Sequence, residues 1–194
     1  MNLDPELVDE RKISARVFVL ITSVQPLSVF VYNYGLEYLA LEKFDVNNVT
    51  DASYFPMKDL DQDTDSNDNK VARIRALPEP KLKLCTAAVN NIIQQAESEI
   101  FKFSTKHRNG HQFALLAFDF EFSKSQSKPT LIRVVATPDF SVSDYRNQVE
   151  IQAKVGFLVA ALNTVGIQDF DNKITKSTDR PQIVKPKRQQ AQYP

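Results

Sequence analysis

Residues 16 to 24 form a run of β-branched and aromatic side chains, Arg16-Val-Phe-Val-Leu-Ile-Thr-Ser-Val24, and Gln25-Pro26 breaks it before a second run from Ser28 to Tyr34. The pattern predicts a hairpin. Gly35 precedes a third extended stretch, Leu36 to Phe44, in which Glu37, Leu39, Leu41 and Lys43 alternate with Leu36, Tyr38, Ala40, Glu42 and Phe44. Three such runs in succession predict an antiparallel meander. Leu82, Cys85, Val89, Ile92, Ile93, Ala96, Ile100 and Phe103 then recur at helical spacing, after Pro78 and Pro80 and before a turn at Lys106 to Gly110, which predicts one amphipathic helix. A strand over Phe113 to Phe122 and a returning strand over Thr130 to Ala136 are joined by a polar turn, so the two are expected to pair antiparallel. A second long helix is expected over about Asp144 to Val165, with Val149, Ala153, Val155, Leu158, Val159 and Leu162 toward the sheet and Gly166 at its end.

Two segments lack this rhythm. From Asp45 to Asn69 the alternation dissolves, and Asp59, Asp61, Asp63, Asp65 and Asp68 follow one another with no lysine or arginine between them, as in a solvated acidic loop. From Lys173 to Arg188 the chain carries Lys173, Lys176, Arg180, Lys185, Lys187 and Arg188 against a single anion, Asp179. A basic disordered tail is expected over 171–194, after one domain over 1–170 that contains a disordered acidic loop near 45–70.

Composition narrows the class further. A chain of 194 residues fits one domain that buries roughly two thirds of its unfolded surface, and 42% hydrophobic with 25% charged residues excludes wholesale disorder and disulfide scaffolds. Lys plus Arg equals Asp plus Glu at 24 each, so no global field draws the chain to nucleic acid or to a membrane surface. Four glycines argue against a glycine-rich phosphate loop. The acidic N-terminal stretch does not read as an export leader, and no apolar run approaches the about 20 residues of a membrane span. The expectation is a cytoplasmic protein with neither a nucleic-acid nor a membrane partner.

Candidate chemistry falls mostly on strands. Along Phe113 to Phe122, Leu116, Phe118, Phe120 and Phe122 share one face, which is expected to pack on helices, and Asp119 and Glu121 share the other, about 7 Å apart. Carboxylates so placed hold a cation or are paired and solvated; Arg133 on the neighbouring strand, if on the same face, favours an ion pair with Asp119. The spacing of Asp61, Asp63 and Asp65 imitates a calcium loop, but Ser66 replaces the turn glycine and Ala72 the closing glutamate. His107 and His111 flank a turn instead of sharing a helix face, which does not make a zinc site. Cys85 on the apolar side of a helix reads as core packing.

The stretch Arg11 to Ala40, with Lys12-Ile-Ser-Ala-Arg16, Val-Leu-Ile-Thr-Ser-Val-Gln-Pro-Leu and Tyr-Gly-Leu-Glu-Tyr-Leu-Ala, resembles the Lys-Phe-Asp-Leu-Arg strand, the Val-Leu-x-Thr-Ser-x-x-Pro-Leu hairpin and the Gly-Leu-x-Arg-Phe-Ala continuation of the tubulin tyrosine ligase-like family. Phe113 to Val135 resembles that family's paired strands carrying Gly-Phe-Asp and Ile-Glu-Val-Asn. The resemblance implies the C-terminal part of an ATP-grasp ligase that attaches amino acids to tubulin. Its fold would be α+β, a partial ATP-grasp-like antiparallel sheet with two long helices packed on one face.

The resemblance also implies a degenerate site. Lys12 and Arg16 stand at positions that would face phosphate, and Asp119 stands at the aspartate of Gly-Phe-Asp. Ser14 replaces the aspartate of the first motif, Tyr38 an arginine, Arg133 the metal-binding glutamate and Val135 the asparagine. Because metal and cationic clamps supply most of the stabilisation in phosphoryl transfer, no catalysis and no cofactor are expected. The expected role is a non-catalytic module that binds tubulin or microtubules, partly through the six tail cations, in a ciliary or other cytoskeletal assembly. The alternative is a fragment or subunit of a working ATP-dependent tubulin amino acid ligase, for tyrosine, glutamate or glycine, which would take ATP and magnesium.

Overall fold

In a computed structural model, residues 4–24, 26–50, 53, 74–104, 113–125, 128–141, 147–166 and 183–184 are described. The chain runs through β1 (Leu7–Val8), β2 (Arg11–Val24), β3 (Leu27–Leu39), β4 (Ile74–Ala76), helix α1 (Glu79–Ser104), β5 (Ala114–Glu121), β6 (Thr130–Val135), helix α2 (Gln148–Thr164) and β7 (Ile183–Val184). The sheet order is β4-β3-β2-β5-β6, with β1 added to β2 and β7 to β3, and every pairing is antiparallel. The α+β class and the antiparallel sheet with two helices agree with the sequence.

The expected meander is corrected at Gly35. It does not turn the chain: β3 continues through it to Leu39, pairing Leu36, Glu37 and Tyr38 with Arg16, Ala15 and Ser14. A Cβ on Gly35 would lie 3.0 Å from both the Arg16 carbonyl oxygen and a Leu77 methyl. The glycine therefore marks close approach within a strand. Short β4 lies beyond β3 in place of a third long strand. The hairpin from β1 to β2 turns on Asp9 and Glu10, both in the left-handed region at φ 51° and 62°, as a two-residue primed turn requires.

The placement of the two helices on one face is also corrected, because they cover opposite faces. On one side Ile13, Ala15, Val17, Phe118 and Phe120 pack with Cys85, Val89 and Ile93 of α1. On the other Phe18, Leu20, Tyr32, Leu36 and Ala117 pack with Ala153, Phe157 and Ala161 of α2. β2 is apolar at consecutive positions from Val17 to Leu20, so both of its faces need cover. Phe157 is the centre of the second layer, with ring centroids 5.2 Å from Phe18, 5.6 Å from Tyr32 and 6.0 Å from Phe140.

Helix α2 begins at Gln148, capped by Asn147, whose side chain accepts from the Glu150 N–H at 3.1 Å. Its sheet face consists of Glu150, Ala153, Lys154, Phe157 and Ala161, and the expected core residue Val155 is 42% exposed. Asp144 lies outside the described residues. So do the aspartates from 59 to 68, His107, His111 and the six tail cations. Within the expected tail, Ile183–Val184 pairs with Tyr32 and Val31 of β3. Among the described residues no helix is long and apolar enough to cross a membrane.

Candidate functional site: an ionic row beneath helix α2

Strand β2 begins at Arg11, so Lys12, Ser14 and Arg16 alternate onto one face. That face is the one covered by α2, since Phe18 and Leu20 continue it. The β2–β5 register sets Arg16 opposite Asp119 and Ser14 opposite Glu121, and the β5–β6 register sets Arg133 opposite Asp119. Sequence-predicted residues from three strands thus converge.

Asp119 is their hub, with its side chain 1% exposed. Arg16 donates from Nε to Oδ1 at 2.7 Å and from a terminal nitrogen to Oδ2 at 2.9 Å, a two-pronged guanidinium–carboxylate contact. Arg133 donates from Nε to Oδ2 at 2.7 Å. The Arg133–Asp119 pair expected from sequence is present, but Arg16 is the deeper partner, with 13% of its side chain exposed against 56% for Arg133.

Arg16 also lies over the Tyr38 ring, 5.8 Å from its centroid. Burial would depress the guanidinium pKa; the hydrogen bond to Asp119 and the fields of Tyr38 and Asp119 outweigh it and raise the value. Burial likewise raises the Tyr38 phenol, Arg16 opposing while Glu150 and Asp119 reinforce the shift. Tyr38, expected as a lost arginine, packs under a different arginine.

Lys12 is fully buried and pairs with Glu121, a partnership missed in the sequence because the first extended run was read from Arg16, whereas the strand begins at Arg11. On α2, the buried Glu150 and Lys154 pair at 2.8 Å, and Lys154 also donates to the Ser141 carbonyl. Asp139 is held below the usual carboxylate range by hydrogen bonds from the Ser141 hydroxyl and N–H. Ser14 Oγ is buried with no hydrogen-bond partner among the described residues. Val135 joins the apolar layer beside Ala117.

Magnesium takes near-octahedral oxygen ligation at about 2.0–2.1 Å and usually one or two carboxylates with several waters. Both oxygens of Asp119 already accept from guanidinium groups, Arg133 adds a positive charge beside them, and Val135 offers no oxygen. Among the described residues no three His, Cys, Asp or Glu side chains converge as a metal site would need. This donor set does not fit magnesium. Lys12 and Arg16, the positions expected to face phosphate, each hold a carboxylate.

Residues 3–172 match the model of the tubulin-tyrosine ligase family. The chain is 25% identical to mouse (Mus musculus) tubulin polyglutamylase TTLL6 over an alignment of 201 residues, which covers 91% of this chain and 24% of that relative. It is also 42% identical over 48 residues to mouse probable tubulin polyglutamylase TTLL2, covering 25% of this chain and 9% of the relative. The chain therefore spans about a quarter of the length of the first relative.

Proposed function

The chain belongs to the tubulin-tyrosine ligase family, and we propose that it acts there as a non-catalytic module that binds tubulin or microtubules. The observation that carries this reading is the Asp119 carboxylate closed between Arg16 and Arg133. A divalent ion would have to displace two charge-assisted hydrogen-bonding partners from a buried acid and then sit beside their charges, which is unfavourable on both counts. What the inherited sheet retains is shape and surface. On this reading the protein works at the cytoskeleton, in a ciliary or other microtubule assembly, and the cations from Lys173 to Arg188 are drawn to acidic tubulin surfaces.

Two experiments test the reading. The full chain should co-sediment with microtubules at low salt and be released as salt rises, since pairing between exposed charges is screened. Replacing Lys173, Lys176, Arg180, Lys185, Lys187 and Arg188 by glutamine, which leaves Ile183 and Val184 in place, should weaken pelleting; no pelleting at low salt rejects the binding role. Magnesium-ATP should leave the melting temperature unchanged. A site filled at about a hundred times its Kd would add about 2.7 kcal/mol and raise the melting temperature by about 5–11 °C, an outcome that would favour part of a working ligase instead.

A further inference from the structure

Strand β7 (Ile183–Val184) brings the basic C-terminal segment back onto the sheet. β2 occupies one edge of β3 at Val31, so β7 pairs with the other edge, which β4 takes further along at Leu36 to Tyr38. The antiparallel register sets Val184 opposite Val31 and Ile183 opposite Tyr32. Val31 belongs to the layer beneath α1 and Tyr32 to the layer beneath α2. Each aliphatic residue of β7 thus stands opposite an apolar position, and such cross-strand pairs stabilise a sheet. After Ile167 no other two aliphatic residues are adjacent in the sequence, and Pro181 and Pro186 bracket this pair. Proline has no N–H to give to a ladder, so the two prolines confine the pairing to a short clip.

The clip divides the cations of the tail into two groups. Lys173, Lys176 and Arg180 precede it in company with Asp169, Asp171 and Asp179, whereas Lys185, Lys187 and Arg188 follow it with no acid among or after them. Connectivity alone keeps the Cα atoms of the last three within about 15 Å of Val184, at no more than about 3.6 Å per residue. Without the clip the nearest described residue on the chain is Gly166, and the same rise lets Arg188 range up to about 80 Å from it. Three like charges confined beside one sheet edge act together on a partner that comes within a Debye length of about 8 Å. A group already confined also loses less freedom on binding.

We propose that Ile183–Val184 is a clip that holds the basic tail on the edge of β3, and that an extended acidic polypeptide binds Lys185, Lys187 and Arg188 most tightly from this clipped state. The clip rests on the proposed attraction of the tail cations to acidic surfaces and adds how the fold presents them. Affinity is then set by sheet pairing as well as by charge. The coupling is reciprocal: whatever factor the clip adds to binding, the bound acidic chain adds to the clip. A partner that pulled the tail free would show the opposite sign.

The probe is a fluorescein-labelled peptide of about ten glutamate residues, long enough to pass all three cations, titrated at low salt against the full chain by fluorescence anisotropy. Ile183→Ser with Val184→Ser keeps every charge; it should quicken amide exchange at 31–32 and 183–184 and weaken binding about threefold or more. In the unaltered chain, bound peptide should slow exchange at 183–184. Glutamine at Lys185, Lys187 and Arg188 should cost more affinity than glutamine at Lys173, Lys176 and Arg180. Equal affinity once exchange has quickened, exchange at 183–184 that rises on binding, or exchange that the serine pair leaves unaltered would overturn the clip while the attraction of the tail to acidic surfaces stands. Peptide binding that follows the clip, without pelleting on microtubules, would reject the tubulin reading and keep the clip. No binding of the peptide at low salt overturns both.

Discussion

Replacing Asp119 by asparagine removes one charge from the centre of the ionic row while keeping its shape. Arg16 is then left positively charged beneath helix α2, with 13% of its side chain exposed, facing a neutral amide that can accept from only one of its two nitrogens. Breaking a buried ion pair from one side costs about 3–5 kcal/mol; the remaining hydrogen bond places this variant near the lower end, about 3 kcal/mol, which lowers the melting temperature by about 6–12 °C in a domain of this size. Arg133 reaches the same carboxylate with 56% of its side chain exposed, so Arg133→Ala should cost no more than about 1 kcal/mol. Joint replacement, Arg16→Met with Asp119→Leu, removes both buried charges, keeps an apolar stem against Tyr38, and should recover most of the stability that Asp119→Asn loses. The assay is urea unfolding followed by far-ultraviolet circular dichroism, read at unchanged slope so that midpoints report stability. If Asp119→Asn costs less than about 1 kcal/mol, or Arg133→Ala costs as much as Asp119→Asn, the ranking of deep and shallow partners is wrong.

Gly35→Ala should destabilise by about 1–3 kcal/mol through overpacking, because its methyl would press on the Arg16 carbonyl and on Leu77; the same urea titration measures it. Phe157→Ala should cost about 3–5 kcal/mol, since its ring lies against Phe18, Tyr32 and Phe140. Burial pushes the Cys85 thiol up to about 12, Lys81 pulling weakly the other way. From about 9 to about 12 the unfolded thiol loses its proton while the folded one keeps it, so stability falls as pH rises, by at most about 1.4 kcal/mol per pH unit from this group. Unfolding midpoints across alkaline pH should fall less steeply in Cys85→Ala. At pH about 9 the native thiol should react with a disulfide reagent far more slowly than the denatured one.

The extended runs, the first helix and the β5–β6 pairing were legible because period and turn residues agreed in each. Gly35 misled: next to Tyr34 and before a fresh alternation it reads as punctuation, whereas the fold needs a missing side chain there. The two-sided cover of β2 was written in Val17-Phe-Val-Leu20, but the carboxylates of β5 drew attention to an apparent polar face. Most of those polar groups proved to be neutralised beneath α2. The Asp119–Arg133 pair was expected on the condition that both side chains share a face, and the β5–β6 register meets that condition. Arg16 as its deeper partner was not expected, because which strand flanks β5 on its other side depends on long-range topology. Glu37 was likewise invisible: it is fully buried, and Arg75 and Lys81 meet it from strand β4 and helix α1.

Strand β2 lies between β3 and β5 and beneath a helix on each side. The amides of its middle residues, Val17 to Leu20, consequently have no local route to solvent, and their deuterium uptake should require opening of the whole domain. These few protons form a built-in gauge. Their exchange rates would track global integrity for any variant.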